Sequence, residues 1–377
     1  MRSCTVDYES IPLDLWFARP LRKVEDLVPG SGHVDFALGR GGLAWLCRTM
    51  GWGAGDRFLL PSFVSKRVVE PFVQSGIVPE FYAVNKDLSV DLNDLSARLR
   101  PGIRGGLIVH YFGWPQPLHV RSWLRTRGPE FGVWIEDLTQ AHLSNPEGVA
   151  LGTYGDIALA SFRKLIPCPD GAVLAFQGAR YPRPPRPSVT ARLSARSVSR
   201  LLMMPLAGWR RVRIGRRVAE VLRWKLKQLA RGGGKAEPMS PISRHLIERF
   251  DIERSAKARR VNAVRLAARL RELAGIEPLF SDPDLGVAPM VLPVRVPERD
   301  RLRRALATQG IQALSLWSRP PGLEAGCFPV VDKLQDELLS FPVDERYGSA
   351  EMDFIADAVA EVVAKDPKPR AFRHGLI

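Results

Sequence analysis

Cysteine is scarce in this chain. The sequence of 377 residues holds four, Cys4, Cys47, Cys168 and Cys327, and no two of them form a CxxC pair. The six histidines likewise show no spacing typical of metal ligands. Because zinc sites and disulfide frameworks depend on such pairs, we predict reduced thiols, no disulfide scaffold and no metal site.

Long apolar runs are also missing. No segment approaches the roughly 20 consecutive apolar residues that a membrane-spanning helix needs, and residues 1–7 lack the apolar stretch typical of a signal peptide. We therefore expect a cytoplasmic protein. Its apolar content of 45% is enough for a full core, and its length suits one large domain and a smaller one.

Lys and Arg outnumber Asp and Glu, and most of this excess lies in one segment. The net charge is +15, and residues 178–231 contain 15 Lys and Arg against one acid, Glu220, so that +14 of this charge is local. The proline-rich segment 181–187 cannot form a regular helix or central strand, whereas apolar spacing in 218–229 predicts an amphipathic helix. The basic segment is therefore a separate feature of the chain.

Strand and helix signals alternate over roughly the first 170 residues. Helical patterns lie between several apolar, β-rich runs, which occupy residues 57–60, 78–84, 106–110, 131–135 and 157–160. Such alternation implies a mainly parallel sheet with helices on both faces. A long helix predicted over 251–273 would lead into a second domain.

A carboxylate and a lysine follow two neighbouring strands of this predicted sheet. Asp137 comes after the run 131–135, and Lys164 lies 27 residues further on, after the run 157–160. Sites in such sheets lie beyond the carboxyl ends of the strands. A lysine that forms a Schiff base with an aldehyde, and a carboxylate that keeps a pyridine nitrogen protonated, are what a pyridoxal phosphate (PLP) enzyme needs. The alternatives are a surface lysine and a helix N-cap.

Other polar groups flank this pair. Ser161 could donate its hydroxyl to a cofactor phosphate, or could bond its own backbone in a turn. Gln140 could bond the ring oxygen of the cofactor, or could face solvent. Residues 39–42 (Gly-Arg-Gly-Gly) precede a helical stretch, and backbone N–H groups at a helix N-terminus favour a phosphate dianion. Glycine-rich turns before helices are also common without a ligand.

A set of short segments keeps one order along most of the chain. They are FALGRGGL (36–43), GDRFLLPSF (55–63), VHYFG (109–113), IED (135–137), GTYGD (152–156), SFRK (161–164), GIQA (310–313), LW (316–317) and LSFPV (339–343). Together they resemble the nucleotide-sugar aminotransferase family, the DegT/DnrJ group of the fold-type I PLP enzymes. The resemblance implies an α/β fold with a mainly parallel, seven-stranded-type sheet. We assign 1–176 to the large PLP-binding domain, 177–240 to a basic insertion or linker, and 241–377 to the bridging helix and a small C-terminal α/β domain.

The resemblance also assigns roles to individual residues. Lys164 matches the lysine that forms the Schiff base and moves the proton, Asp137 the partner of the pyridinium, and Gln140 the residue at the ring oxygen. The phosphate ligands would be Ser161 and the start of the first long helix, at Gly39, Arg40 and Gly41. The presence of Lys164 speaks against the branch of the family that has histidine there and catalyses dehydration.

Three features depart from the family pattern. Many relatives place a ring-stacking aromatic residue soon after the position of Pro61; this chain has Val-Ser-Lys at 64–66, so Phe63 is the candidate for stacking. The interval from Ser161 to Lys164 is two residues shorter than usual. The basic insertion has no counterpart in the common core.

The predicted function follows from this resemblance. Family members usually transfer an amino group from glutamate to a keto sugar carried on a nucleotide, as homodimers whose subunits share each site. We therefore predict a PLP-dependent aminotransferase of polysaccharide or glycosylated-metabolite biosynthesis, with an amino donor and a keto-sugar acceptor as partners. The alternatives are a non-catalytic scaffold or binding protein of this fold, and a PLP enzyme with a non-sugar acceptor.

Three interpretations of the basic segment 178–231 stay open. It could be an amphipathic helix that packs on the large domain or on a second subunit, an electrostatic collar for an anionic substrate, or a peripheral contact with anionic lipid. Nucleic acid would exploit the same charge. No recognition motif accompanies that charge, so we do not expect a nucleic-acid partner.

Overall fold

The computed structural model describes residues 4–6, 11–178, 236–280 and 282–365. The basic segment at 178–231 therefore lies, except for Gly178, outside the described residues. The chain begins with a short strand, β1 (Cys4–Thr5), which pairs with a strand near the other end of the sequence.

A seven-stranded sheet forms the centre of the large domain. Its strands are β2 (Gly32–Phe36), β3 (Arg57–Pro61), β4 (Val78–Tyr82), β5 (Ile103–Val109), β6 (Val133–Asp137), β7 (Ile157–Ser161) and β8 (Ala172–Phe176). Their order is β2-β8-β7-β6-β5-β3-β4. Only β8 runs antiparallel to its neighbours β7 and β2 within this sheet. The predicted α/β fold with a mainly parallel seven-stranded sheet is confirmed.

The central strands are buried on both faces. Every residue of β6, β7 and β8 is buried, and their sequences VWIED, IALAS and AVLAF are nearly continuous apolar runs. Parallel sheets produce such runs because helices cover both faces. The strand predicted at 131–135 is shifted by two residues in the structure, where β6 ends at Asp137.

Helices of the large domain connect these strands. They are α1 (Leu13–Phe17), α2 (Gly39–Thr49), α3 (Lys66–Gln74), α4 (Leu92–Ala97), α5 (Leu118–Thr126) and α6 (Pro241–Arg249), with 3-10 turns at Val24–Leu27, Gly128–Phe131, Pro146–Gly148 and Phe162–Lys164. The side chain of Asp91 caps α4 by accepting from the N–H groups of Asn93 and Asp94. The helix predicted from Leu43 begins earlier, at Gly39, because the extended residue Leu38 turns the chain into it.

The described part of the small domain contains a three-stranded antiparallel sheet and four helices. Its elements are α7 (Ile252–Arg271), β9 (Glu277–Pro278), β10 (Val291–Arg295), α8 (Arg299–Thr308), β11 (Ile311–Gln312), α9 (Pro329–Glu337), β12 (Leu338–Pro342) and α10 (Ser349–Ala364). Strand β10 lies between β12 and β9. The helix predicted over 251–273 is confirmed as α7, whose N-cap Asp251 accepts from the N–H of Arg254.

The first strand belongs to this small domain. Cys4 pairs with Ile311 in a parallel bridge, and the N–H of Thr5 donates to the Tyr347 hydroxyl at 2.8 Å. The structure thus differs from the assigned boundaries in two places: β1, assigned to the large domain, pairs with the small one, and α6, assigned to 241–377, contacts Trp16 and Glu25 of the large domain. No helix in the described ranges combines the length and apolarity that crossing a bilayer would require.

Candidate active site

Asp137 and Lys164 lie at the same edge of the large sheet. Asp137 pairs with Leu159 across the parallel strands β6 and β7, and Lys164 follows in the 3-10 turn directly after β7. Asp137 is 3% exposed, and one of its oxygens, Oδ1, accepts from the N–H of Thr139 at 2.8 Å. The two residues that the sequence placed at neighbouring strand ends are therefore together in the fold.

The Lys164 amine is held in a defined position. Its Nζ donates to the hydroxyl Oγ1 of Thr139 at 2.8 Å. Burial lowers the pKa of Lys164 from 10.5 to about 8, although the charge of Asp137 acts against this shift; the neighbouring Arg163 adds to it. A larger fraction of the amine is therefore neutral near physiological pH than in an ordinary lysine, and the neutral amine is the nucleophile.

Glu136 has a different environment from its neighbour. Its Oε1 accepts from the N–H groups of Tyr154 and Gly155 at 2.6 and 2.7 Å, and its Oε2 lies 3.1 Å from His110 Nε2. The Nδ1 of His110 accepts from the N–H of Gln116, so Nε2 carries the hydrogen that Glu136 accepts. Burial tends to raise the pKa of Glu136, but these hydrogen bonds hold it below 4.5. Glu136 is therefore a structural anion.

Gln140 and Ser161 complete the predicted polar set. Gln140 is 2% exposed, and its Oε1 accepts from the N–H of Phe112 at 2.9 Å, so that the Nε2 group is the end left to donate. A donor is what a ring oxygen requires. Ser161 is the buried last residue of β7, three positions before Lys164. The structure thus brings both residues to the predicted site, and their contacts with a cofactor stay predictions.

The glycine-rich start of α2 lies against the same strand. A Cβ on Gly39 would lie 3.3 Å from Leu159 Cδ1, so glycine lets the helix approach β7 closely. The N–H of Gly41 donates to the Leu38 carbonyl at 2.9 Å. This bond occupies the Gly41 N–H that was predicted to bind phosphate. Gly39 and Arg40, the first two residues of the helix, keep that predicted role.

The ring of Phe63 is enclosed by other aromatic side chains. Its ring is completely buried, with ring centroids 5.7 Å from Tyr111 and 5.3 Å from Trp317. Its carbonyl accepts from the Tyr111 hydroxyl at 2.6 Å. The aromatic cluster already covers Phe63, which leaves no open face for the predicted stacking on a cofactor ring.

Thr139 and His142 were missed in the sequence. Thr139 is hydrogen-bonded to both Asp137 and Lys164, and its spacing of two residues after Asp137 was the only available signal. His142 is 8% exposed, packs edge-on against Phe162, and has no hydrogen-bond partner for either ring nitrogen within the described residues. Burial lowers the pKa of His142 to about 3, and the charges of Arg259 and Lys164 add to this shift, so the ring is neutral.

Arg259 links the site to the small domain. This α7 residue is 1% exposed and donates to the carbonyl of Leu165, which follows Lys164, at 3.3 Å. It also donates to the Met290 carbonyl at 3.3 Å and pairs with the Glu345 carboxylate at 3.0 Å. The turn that carries Lys164 is therefore bound to elements of both domains.

Phe112 has a strained backbone at the same boundary. Its φ is 58°, in the left-handed region that a bulky side chain rarely adopts. Its N–H donates to Gln140, and its carbonyl accepts from the N–H of Met290 at 2.7 Å. Strain of this kind costs about 1–3 kcal/mol and persists only where surrounding contacts enforce it. Here contacts from both domains hold the backbone conformation of Phe112, next to Gln140.

The residues present fit a cofactor that has an aldehyde, a protonatable ring nitrogen and a phosphate. Lys164 offers an amine with a lowered pKa, and Asp137 offers a buried carboxylate, one oxygen of which accepts from the Thr139 N–H. A buried carboxylate is stabilised by a cation, which a protonated ring nitrogen provides. The start of α2, beside β7, offers N–H groups to the phosphate.

Comparison with known proteins finds relatives of part of this chain. Residues 34–177 match the sequence model of the DegT/DnrJ/EryC1/StrS aminotransferase family. The chain is 31% identical over 125 residues to the dTDP-4-dehydro-2,3,6-trideoxy-D-glucose 4-aminotransferase of Saccharopolyspora spinosa, over 32% of each chain. It is 30% identical over 115 residues to the GDP-perosamine synthase of Vibrio cholerae, over 30% of each chain. The matches thus span about a third of these curated relatives.

Solved structures match over most of the chain. An aminotransferase from Streptoalloteichus hindustanus has a TM-score of 0.66 at 22% identity, covering 88% of this chain and 86% of that one. A DegT/DnrJ/EryC1/StrS aminotransferase from Brucella abortus has a TM-score of 0.65 at 19% identity, covering 90% and 88%. At these identities the likeness shows the fold. Residues 34–177 thus match the DegT/DnrJ/EryC1/StrS aminotransferase family, and the chain has the fold of these solved structures.

Proposed function

We propose that this protein is a PLP-dependent aminotransferase, which moves an amino group from an amino acid, with glutamate as the expected donor, to a keto sugar linked to a nucleotide. The observation that carries the proposal is the placement of the Lys164 amine and the Asp137 carboxylate on adjacent parallel strand ends. The names of the curated relatives, which refer to sugars carried on dTDP and GDP, support the choice of acceptor.

Each site residue has a distinct task in this proposal. When bound, PLP supplies an aldehyde that reacts with amines and a ring that accepts electrons. Lys164 Nζ would hold the cofactor, and its free amine would take a proton from the α-carbon of the donor. The Asp137 carboxylate would keep the ring nitrogen protonated. Gln140 Nε2 would donate to the ring oxygen, while Ser161 and the start of α2 would bind the phosphate.

The low pKa of Lys164 suits its second task. A general base works best when its pKa lies near the working pH. At a pKa of about 8, the amine can accept a proton from one carbon and return it to another without a large energy penalty in either direction. An ordinary lysine with a pKa of 10.5 would keep the proton. The dry surroundings of Lys164 thus tune it for proton transfer.

We further propose a homodimer that works in the cytoplasm, in the assembly of a polysaccharide or glycosylated metabolite. The family resemblance supports the homodimer and this role. Sedimentation velocity of the full chain tests the dimer directly. The interpretation of residues 178–231 as a lipid contact is tested by sedimentation with anionic vesicles. If the segment binds lipid, a variant with neutralised arginines should remain in the supernatant.

The first test is an absorbance spectrum of the purified protein with PLP, before and after glutamate. We expect a yellow band that glutamate bleaches and that Lys164→Ala does not form. Lys257→Ala is the matched control, because Lys257 is an exposed lysine of α7. Borohydride reduction followed by peptide mass analysis should place the covalent label on Lys164. No band in the wild-type protein would overturn the proposal and favour a scaffold of this fold.

The identity of the keto-sugar substrate is tested in the second half of the amino transfer. After glutamate has bleached the band and has been removed, keto sugars linked to dTDP, GDP or UDP are added one at a time. The correct acceptor should restore the band, because it takes up the amino group. Restoration by a small keto acid but by none of these nucleotide-linked sugars would keep the aminotransferase and reject the sugar acceptor.

A further inference from the structure

Thr139 is the one residue hydrogen-bonded to both Asp137 and Lys164 in the described structure. Its Oγ1 accepts from Lys164 Nζ at 2.8 Å, and its N–H donates to Asp137 Oδ1 at 2.8 Å. Thr139 is 9% exposed. The side chain of a lysine has four rotatable bonds and can therefore place its amine in many positions. A hydrogen bond to a buried acceptor selects one of these positions.

The position of the Thr139 hydroxyl is fixed by the backbone around it. The N–H of Leu138 donates to the Leu159 carbonyl at 2.8 Å, which extends the pairing of β6 with β7 by one residue. The N–H groups of Ala141 and His142 both donate to the Leu138 carbonyl at 2.9 and 3.0 Å. Thr139 thus lies within a closed turn, and its β-branched side chain has few available rotamers. The hydroxyl is a rigid acceptor.

We propose that Thr139 is a positioning residue for Lys164: its hydroxyl holds the amine beside Asp137 whenever that amine is not covalently engaged. This inference rests on the proposed function, in which Lys164 must first capture the cofactor and must return to it after each turnover. A lysine without this contact would sample several rotamers, and the amine would reach the reacting carbon less often.

The charged and titratable groups that face Lys164 do not supply this direction. Asp137 raises the pKa of Lys164 and Arg163 lowers it, and the nearby His142 ring is neutral. Thr139 adds no charge and contributes the geometry. Because its oxygen accepts from the ammonium, it also favours the protonated form of Lys164.

The first experiment measures Lys164 in the cofactor-free full chain. The pH dependence of Lys164 acetylation by limiting acetic anhydride is followed by peptide mass spectrometry in wild type, Thr139→Val and Thr139→Ser. Valine keeps the shape and removes the acceptor. We expect the midpoint in Thr139→Val to fall by about 0.5–1 pH unit, whereas Thr139→Ser should retain the wild-type midpoint. Acetylation of the exposed Lys257 in the same samples is the internal control.

The second experiment measures the capture of PLP by stopped-flow absorbance. We expect Thr139→Val to form the yellow band about tenfold more slowly, and Thr139→Ser to recover most of the rate. A wild-type midpoint together with a wild-type capture rate in Thr139→Val would overturn the inference. If the valine variant does not fold, as judged by circular dichroism, Thr139→Ala takes its place in both measurements.

Failure of this inference is distinguishable from failure of the proposed function. If the wild-type protein forms no band with PLP, the function fails, but the acetylation midpoints still report whether Thr139 holds the Lys164 amine. If the band forms and all variants behave alike, the function stands and the positioning role is rejected.

Discussion

The carboxylates of Glu136 and Asp137 belong to consecutive residues of one strand and serve opposite faces of the sheet. Glu136 accepts from His110 and from the N–H groups of Gly152, Tyr154 and Gly155. Asp137 accepts one hydrogen bond, from Thr139, and lies near Lys164. A carboxylate whose lone pairs are all used stabilises the fold, whereas one with an unused oxygen near a cation site can bind a ligand.

Asp137→Asn should retain the fold and lose most of the amino transfer. Asparagine has the same shape and can still accept from the Thr139 N–H, but it has no charge to keep a ring nitrogen protonated. We expect glutamate to bleach the PLP band about 100-fold more slowly or slower still, with little change in urea unfolding. Stopped-flow absorbance measures this rate, and a wild-type rate would contradict the assigned role.

Glu136→Gln should instead destabilise the fold. The buried carboxylate loses charge-assisted hydrogen bonds, so we expect the free energy of unfolding to fall by about 2–4 kcal/mol at neutral pH. The pKa of Glu136 in the folded protein is below 4.5, so its stabilisation is complete above pH 4.5 and disappears as the pH falls through the lower, folded value. Urea unfolding of both proteins in acid should therefore show converging stabilities; a constant difference would count against this account.

Lys164→Met should stabilise the cofactor-free protein near neutral pH. Burial lowers the pKa of Lys164 from 10.5 to about 8. Below pH 8 the folded protein carries a charged, buried amine, which costs stability, and this cost disappears as the pH rises to the unfolded pKa of 10.5. We expect wild-type stability to rise between pH 8 and 10.5, and the methionine variant to lack this rise. The gain near neutral pH should be on the order of 1–3 kcal/mol. Parallel pH dependences in urea unfolding would show that the amine is not buried in this way.

Arg259→Met should weaken the contact between the domains. The change leaves the Glu345 carboxylate without this cation and the carbonyls of Leu165 and Met290 without this donor. We expect a loss of about 3–5 kcal/mol in the free energy of unfolding, together with faster proteolysis between the domains. Arg265→Met is the control on the same helix, because its pair with Asp353 is exposed and should matter little. Equal effects of the two changes would reject a special role for Arg259.

Much of the large domain was predictable because its strands are buried on both faces. Such strands appear as short apolar runs, and the residues directly after them must lie at one edge of a parallel sheet. That reasoning brought Asp137 and Lys164 together across more than 20 residues of intervening chain. It did not find β2 and β8, whose antiparallel pairing at the sheet edge depends on partners distant in sequence.

Contacts between distant segments limited the remaining predictions. Phe63 was expected to stack on a cofactor, but Trp317 from the small domain packs against its ring. The first strand, β1, was assigned to the large domain, but it pairs with Ile311 near the other end of the chain. No local pattern encodes such pairings, because their partners are selected by packing after the chain has collapsed.

The sequence by itself determined the order of strands and helices, and with it the edge of the sheet where Asp137 and Lys164 meet. It also determined that Glu136 and Asp137 point in opposite directions, since side chains alternate along a strand. Only the tertiary structure decided that both acids are buried, because helices cover both faces. It also decided that Glu136 meets backbone donors and that Thr139 receives the Lys164 amine, because those contacts require groups from separate segments to converge within hydrogen-bond distance.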